Sequence, residues 1–178
     1  MNRPAALSVV IPCLNEAERL PLLLADLQRG GSELEILLAD GGSNDATPEI
    51  AGLAGAQLIK VHPAGRGRQL RTAAAQASSD WLLFLHADSR LPLQWFRAIS
   101  PLLKTSSTEA AAWYFDFRIT PSTAARRLLE QAVALRSSWL QRPYGDQGLL
   151  LHRALYDRSG GFAELPLMED LDLVERLS

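Results

Sequence analysis

The chain has almost no cysteine, almost no lysine and no long apolar run, and each shortage removes a class of protein. Its single cysteine, Cys13, cannot close an internal disulfide, so a cross-linked secreted scaffold is excluded and a reducing cytosol is the expected compartment. Flanked by Ile11, Pro12 and Leu14, Cys13 reads as a packed residue, because reactive thiols sit in electropositive, partly exposed surroundings. No apolar stretch approaches the roughly 20 residues that a spanning helix needs. The first, Leu7 to Leu14, is short, interrupted by Ser8 and Pro12, and not preceded by a signal-peptide pattern. A cytoplasmic protein is expected, at most peripheral to the inner face of a membrane. The net charge is -2 and the only lysines are Lys60 and Lys104, so no basic face for nucleic acid is expected.

What is present is an ordinary globular composition. With 178 residues and 47% hydrophobic content, the chain can bury a core without metal or disulfide, and one domain over 1–178 is expected. Apolar, β-rich runs at Leu7 to Ile11, Leu34 to Ala39, Gln57 to Val61 and Trp81 to Leu85 alternate with helix-compatible segments, the pattern of a parallel α/β sheet covered on both faces. Asn15 and Glu18 have capping-box spacing, with Pro21 expected to kink or restart the helix that follows. Thr47-Pro48 and Thr120-Pro121 read as helix starts. Beyond about residue 90 the pattern predicts a helix from Pro92 to Lys104, an aromatic strand Ala111 to Phe117 and a helix Ser122 to Leu140. A loop Gln141 to Gln147, a strand Gly148 to His152 and a helix around Asp170 to Leu177 complete it. Residues 1–90 thus form a nucleotide-binding half and 91–178 an acceptor-side half.

Ligands of open parallel sheets bind beyond the carboxyl ends of the strands, so the polar residues that follow each apolar run carry the functional reading. Asp40-Gly41-Gly42 puts a carboxylate beside a backbone that a ligand can approach closely, suited to a base or ribose. The same residues also make a turn. Asp88, after Trp81 to Leu85, could hold Mg²⁺ or Mn²⁺, which take one or two carboxylates and leave the rest of the shell to water and phosphate; it could equally cap the next helix. Glu169-Asp170 could supply a general base or simply favour a helix N-terminus. Arg66, Arg68 and Arg71 open a helix after a Gly-containing turn, where they could meet phosphate or form a solvated face. The aromatic strand Trp113 to Phe117 could stack a sugar but reads more simply as core, and His62 and His152 have no suitably spaced metal partners.

Taken in order, Ser8 to Glu16, Asp40 to Thr47, His86-Ala87-Asp88 and Glu169-Asp170 resemble the motifs of GT-A fold, family 2 glycosyltransferases. The details Gly65 to Leu70, Leu85 to Asp88, Pro143 to Gly148 and Pro166 to Asp170 are similar to a bacterial subgroup labelled arsenosugar-biosynthesis glycosyltransferases. The resemblance implies a Rossmann-like, mostly parallel sheet flanked by helices, and a donor that is a nucleoside diphosphate sugar, UDP-linked. That donor would lie over Pro12, Asn15, Glu16 and Asp40, with Arg66, Arg68 and Asp88 toward its diphosphate. It implies Mg²⁺ or Mn²⁺ on Asp88 with His86 as a second candidate ligand, Asp170 as the base, Glu169 as its orienting partner, and Tyr144, Asp146 and Gln147 on the acceptor side. The acceptor would be a small molecule or lipid-linked, and transfer would invert the anomeric centre. Two departures stand out: His86 replaces the first aspartate of the metal motif, and the chain ends at Ser178, where family members continue. A C-terminally truncated domain, or one completed by a partner chain as in a homodimer, is therefore expected. Two rival readings are a sugar-1-phosphate nucleotidyltransferase, which would carry a basic loop where Pro12 to Glu16 is acidic, and a degenerate sugar-nucleotide-binding module.

Overall fold

In the computed structural model, residues 5–105, 110–115 and 148–177 are described. The helix expected over Ser122 to Leu140, its Thr120-Pro121 start, Phe117, and Tyr144, Asp146 and Gln147 lie outside the described residues. The strands are β1 (Leu7–Cys13), β2 (Leu34–Asp40), β3 (Gln57–Lys60), β4 (Trp81–Phe84), β5 (Ala112–Tyr114) and β6 (Leu149–His152). They form one sheet in the order β3-β2-β1-β4-β6-β5. The first four run parallel, and β6 is antiparallel to both β4 and β5.

Alternate strand residues point to opposite faces, and each face meets its own helices. On one side Leu7, Val9 and Ile11 of β1 pack with Leu20, Leu23 and Leu27 of α1 (Leu20–Leu27), with Ala51 of α2 (Thr47–Leu53) and with Trp95 of α4 (Trp95–Ile99). On the other, Val10, Leu37 and Phe84 pack with Leu70 and Ala73 of α3 (Arg66–Gln76), Leu155 and Tyr156 of α5 (Arg153–Arg158) and Leu173 of α6 (Glu169–Leu177). Coverage on both faces is why β1, β2 and β4 read as continuous apolar runs. Each fully buried leucine contributes about 1.5–3 kcal/mol. Ser8, the polar exception in β1, donates to Glu35 Oε2 at 2.5 Å and accepts from the Ser79 amide at 3.0 Å, which ties the start of β1 to the turn before β4.

Three local expectations are corrected. The capping box does not form: Asn15 has φ 57°, and α1 starts at Leu20 with Pro21 in its first turn, where the missing N–H has no helical partner to lose. Thr47 is the first residue of α2 rather than its cap, and the Thr47 amide donates instead to Asp45 Oδ1 at 2.9 Å. The helix expected from Pro92 to Lys104 is α4 plus a 3₁₀ turn, Leu102–Lys104, because Pro101 cannot donate within a continuing α-helix.

Candidate active site

The loops after β1 and β2 are laced together by backbone and side chain. The Asn15 amide donates to Ser43 Oγ at 2.9 Å, and Asn15 Oδ1 accepts from the Asn44 amide at 2.8 Å. The Glu16 amide donates to Thr47 Oγ1 at 2.8 Å, and Ala17 N–H to Asp45 Oδ2 at 3.0 Å. Asp40 is 3% exposed and accepts from the Gly42 amide at 3.2 Å and from both the amide and hydroxyl of Ser43, at 3.1 and 2.5 Å. The turn reading of Asp40 is therefore realised. Gly42, at φ 99°, supplies the left-handed step the turn requires.

Beyond these loops opens a cleft with about 920 Å³ of free volume, including its solvent-open mouth. It lies where the strand order reverses, between the carboxyl ends of β1 and β4, the position at which open α/β sheets take ligands. Pro12, Cys13, Leu14 and Glu16 form one wall, Gly65, Arg66 and Gln69 of the α3 start another, and His86, Ala87 and Asp88 the third. Gly65 precedes α3 without any capping side chain, so the first turn of that helix presents open amides, a favourable place for an anion. The Cys13 thiol is pushed up to about 12 by burial and by Glu16, Asp40 and Asp45, so it is a packed, un-ionised group.

His86, Arg66, Glu169 and Asp170 converge beside the cleft. Arg66 Nη2 contacts His86 Nε2, and burial, reinforced by the Arg66 charge, lowers the imidazole to about 4 against the pull of Asp88 and Asp170. The ring is neutral at pH 7 and its Nε2 lone pair faces a guanidinium. Arg66 Nε also stands 2.9 Å from Oε1 of the buried Glu169, an ion pair without aligned hydrogen-bond geometry. Asp170 Oδ1 accepts from the Leu171 amide at 2.9 Å. With Arg66 and His86, Asp170 borders a second, narrow crevice, with about 400 Å³ of free volume counting its opening to solvent, otherwise walled by apolar side chains such as Phe84, Leu149 and Phe162. Both acidic residues occupy the first turn of α6, so the helix-dipole reading is realised.

Asp88 is exposed and makes no hydrogen bond or ion pair among the described residues. The capping alternative fails, since α4 begins at Trp95, seven residues on, behind Gln94. No group of three or more His, Cys, Asp or Glu side chains among the described residues could hold a metal. One unpartnered carboxylate in an anion-compatible cleft fits Mg²⁺ or Mn²⁺, whose remaining ligands would be phosphate and water. In this arrangement Nε2 of His86 is engaged by a cation and is not open to a metal. Arg68 is likewise directed elsewhere: it is absent from the cleft wall and donates to Glu164 Oε2 at 2.6 and 2.8 Å.

Sequence reasoning missed three supports. Gln69 is buried and bridges the strand ends, donating to Cys13 O at 2.9 Å and Ala39 O at 2.7 Å. Its signal is helical spacing, one turn before the buried Ala73. Gly67 lets α3 touch the loop before α6: a Cβ there would lie 2.0 Å from Ala163 O. Asp26, buried on α1, anchors the segment after Asp88 by accepting from Arg90 Nε at 2.6 Å and the Leu91 amide at 3.1 Å, with Arg29 at 2.8 Å. Burial alone would raise its pKa, but Arg90, the Leu91 amide and Arg29 together hold it below the usual aspartate range. The aromatic strand is partly core: Trp113 packs on Trp81 at 5.9 Å between centroids, while Tyr114 is exposed. His152 Nδ1 accepts from the Ala154 amide at 3.2 Å as a helix cap, and His62 lies against Gly42.

A mostly parallel sheet flanked by helices, with a cleft at the strand-order reversal, defines a GT-A nucleotide-diphospho-sugar transferase fold. The chain belongs to glycosyl transferase family 2, whose sequence profile matches residues 8–163. It is 36% identical over 93 residues to a 4,4'-diaponeurosporenoate glycosyltransferase of Staphylococcus haemolyticus, covering 48% of this chain and 25% of that protein. It is 33% identical over 89 residues to glycosyltransferase AglJ of Haloferax volcanii, covering 49% of this chain and 29% of that protein. The matched segments thus span about a quarter of these relatives. Among solved structures, S. aureus TarS 1-349 has a TM-score of 0.77 at 16% identity over 96% of this chain and 54% of that one, and has also been solved with UDP-GlcNAc. The mannosyltransferase PcManGT of Pyrobaculum calidifontis, in complex with GDP-Man and Mn²⁺, has a TM-score of 0.72 at 18% identity over 96% of this chain and 51% of that one. At these identities the likeness is one of fold.

Proposed function

We propose that this chain is the catalytic portion of a glycosyltransferase that moves a sugar from a nucleoside diphosphate sugar, UDP-linked, to an acceptor hydroxyl with inversion. The observation that carries the reading is the meeting, at one sheet edge, of the cleft holding the unpartnered Asp88 and the open α3 N-terminus with the Arg66–Glu169 pair and Asp170. The nucleoside lies toward Pro12, Asn15, Glu16 and Asp40, with Asn15 and Asp40 shaping the loops by the bonds described above. The diphosphate lies at Gly65 and Arg66, where backbone amides and a guanidinium supply positive charge. Arg68 acts from behind, holding Glu164 and so the loop leading to Glu169. Mg²⁺ or Mn²⁺ on Asp88 would supply charge to the departing diphosphate.

Asp170 takes the proton from the acceptor hydroxyl as its oxygen attacks the anomeric carbon, and the carbon–phosphate oxygen bond breaks on the opposite side. Glu169, fixed by Arg66, keeps the first turn of α6 aimed at the site. Neutral His86 lets Arg66 sit beside the site without a second adjacent cation. Tyr144, Asp146 and Gln147 border the acceptor, which is a small molecule or lipid-linked; the sequence resemblance to the arsenosugar-biosynthesis subgroup supports a bacterial context. The chain works in the cytoplasm, with peripheral membrane contact where the acceptor is lipid-linked. The described residues contain no helix long and apolar enough to cross a membrane.

The test is sugar transfer and donor hydrolysis with UDP- and GDP-sugars and Mn²⁺, comparing wild type with Asp170→Asn. A rate reduced at least about 100-fold with unchanged nucleotide affinity supports Asp170 as base. A wild-type rate in the variant removes that role, and nucleotide binding without turnover in the wild type marks a sugar-nucleotide-binding module instead.

A further inference from the structure

We propose that Gln69 reads the nucleobase of the donor, its side-chain carbonyl accepting a ring N–H of the base; the inference rests on the nucleoside diphosphate reading of the cleft. The Gln69 side chain is only 5% exposed and lines the cleft. Both hydrogens of its Nε2 are committed, one to Cys13 O at 2.9 Å and one to Ala39 O at 2.7 Å, so the amide cannot turn over without losing both bonds. Its Oε1 accepts from no donor among the described residues, and it is not one of the fully buried atoms left without a partner, which are Arg66 Nε and Glu169 Oε1. The atom that Gln69 offers to the cleft is therefore an acceptor. A nearly buried amide oxygen needs a donor, and a bound ligand that excludes water must provide it.

A phosphate group, itself an acceptor, does not meet that need. The cationic and amide-rich wall of Arg66 and Gly65 suits the diphosphate, as does the Asp88 side beyond β4. Gln69 bridges β1 and β2, roughly one and a half strand spacings from β4, about 7 Å across the sheet. Around it the backbone is pared down: a Cβ on Gly41 would lie 3.1 Å from Ala64 Cβ and 3.3 Å from the Gln69 amide carbon. Gly41 and Ala64 thus pack closely on the Gln69 amide and leave no room for a side chain at position 41, which holds the amide in place. Asp40, the carboxylate expected to read the nucleoside, has its oxygens on the amides and hydroxyl of its own turn. The acceptor open to the cleft at this point is Gln69.

The experiment is calorimetry with Mn²⁺ on whichever of UDP and GDP the wild-type protein binds, against its N-methylated form, 3-methyl-UDP or 1-methyl-GDP. Methylation replaces the N–H, leaving Oε1 unpaired, and is expected to weaken wild-type binding about ten- to a hundredfold. Gln69→Met, which keeps the length and removes the acceptor, is expected to bind parent and methylated nucleotide within about twofold of each other. Equal wild-type affinities overturn the proposal, and that comparison is independent of whether the variant folds. Undiminished discrimination by a folded Gln69→Met also overturns it, as does a Gln69-dependent penalty seen only with the 2′-deoxy nucleotide. Wild-type protein that binds neither UDP nor GDP removes the underlying reading of the cleft and this inference with it.

Discussion

Replacing Gly67 by alanine isolates the contact that joins α3 to the segment leading to Glu169 and Asp170. A Cβ at this position would sit 2.0 Å from Ala163 O and 3.1 Å from Ala163 C, distances that only a shift of the backbone can relieve. A Cβ essentially never stands closer than 3.0 Å to a non-bonded heavy atom, so α3 and the 161–168 segment must separate by about 1 Å. Overpacking against backbone costs about 1–3 kcal/mol, and alanine returns at most about 1 kcal/mol of helix propensity. A net loss of up to about 2 kcal/mol in urea unfolding is expected. The same shift moves Arg66 relative to Glu169 and Asp170, and a misplacement of about 1 Å can cost on the order of 100-fold in rate. Gly52→Ala, on α2 with nothing within 4 Å of the added carbon, is the control and is expected to be neutral or stabilising by up to about 1 kcal/mol. Gly67→Ala with wild-type stability and turnover refutes the reasoning.

Three further expectations follow from named contacts. The Asp26 carboxylate is held below the usual aspartate range, so its contribution is complete above the ordinary aspartate pKa and is lost as pH falls through the lowered folded value. Acid unfolding followed by circular dichroism is expected to show a shallower acid limb for Asp26→Asn, which at pH 7 loses about 1–3 kcal/mol; parallel acid limbs contradict the assignment. Cys13, with its thiol pushed up to about 12, should resist a disulfide reagent at pH 8 in the native protein and react fully in denaturant. Arg153 donates to Ala74 O, Ala77 O and Ser79 O at 3.1, 2.7 and 3.0 Å, so Arg153→Met should lower stability by about 1–3 kcal/mol and speed amide exchange at the end of α3; unchanged exchange there argues against its capping role.

The strands were the most readable part of the chain because burial on both faces demands continuous apolar residues, and β1, β2, β3 and β4 fall within two residues of their expected ends. Helix starts were less readable. Asn15 and Glu18 have the spacing of a capping box, yet Asn15 is more useful clamping Ser43 and Asn44 across 28 and 29 residues of sequence, a contact that local spacing does not reveal. The same holds for Asp26 and Arg90, 64 residues apart, and for Gln69, whose partners are backbone carbonyls that any sequence could supply. Of the site itself, the order of Asp40, Asp88 and Asp170 along the chain was legible. Their division of labour was not, because it depends on which side chains are already occupied: Asp40 by its own turn, His86 by Arg66, Arg68 by Glu164, and Asp88 by no protein group among the described residues.

Asp88 therefore carries the central claim. Calorimetric titration of UDP and GDP into wild type and Asp88→Asn, with Mn²⁺ and with chelator, tests it most directly. The account predicts that one nucleotide binds the wild type, that chelation or Asp88→Asn weakens it at least about tenfold, and that Mn²⁺ alone binds weakly, since the protein offers it a single carboxylate. Nucleotide binding indifferent to both the metal and Asp88, or no binding of either nucleotide, contradicts it.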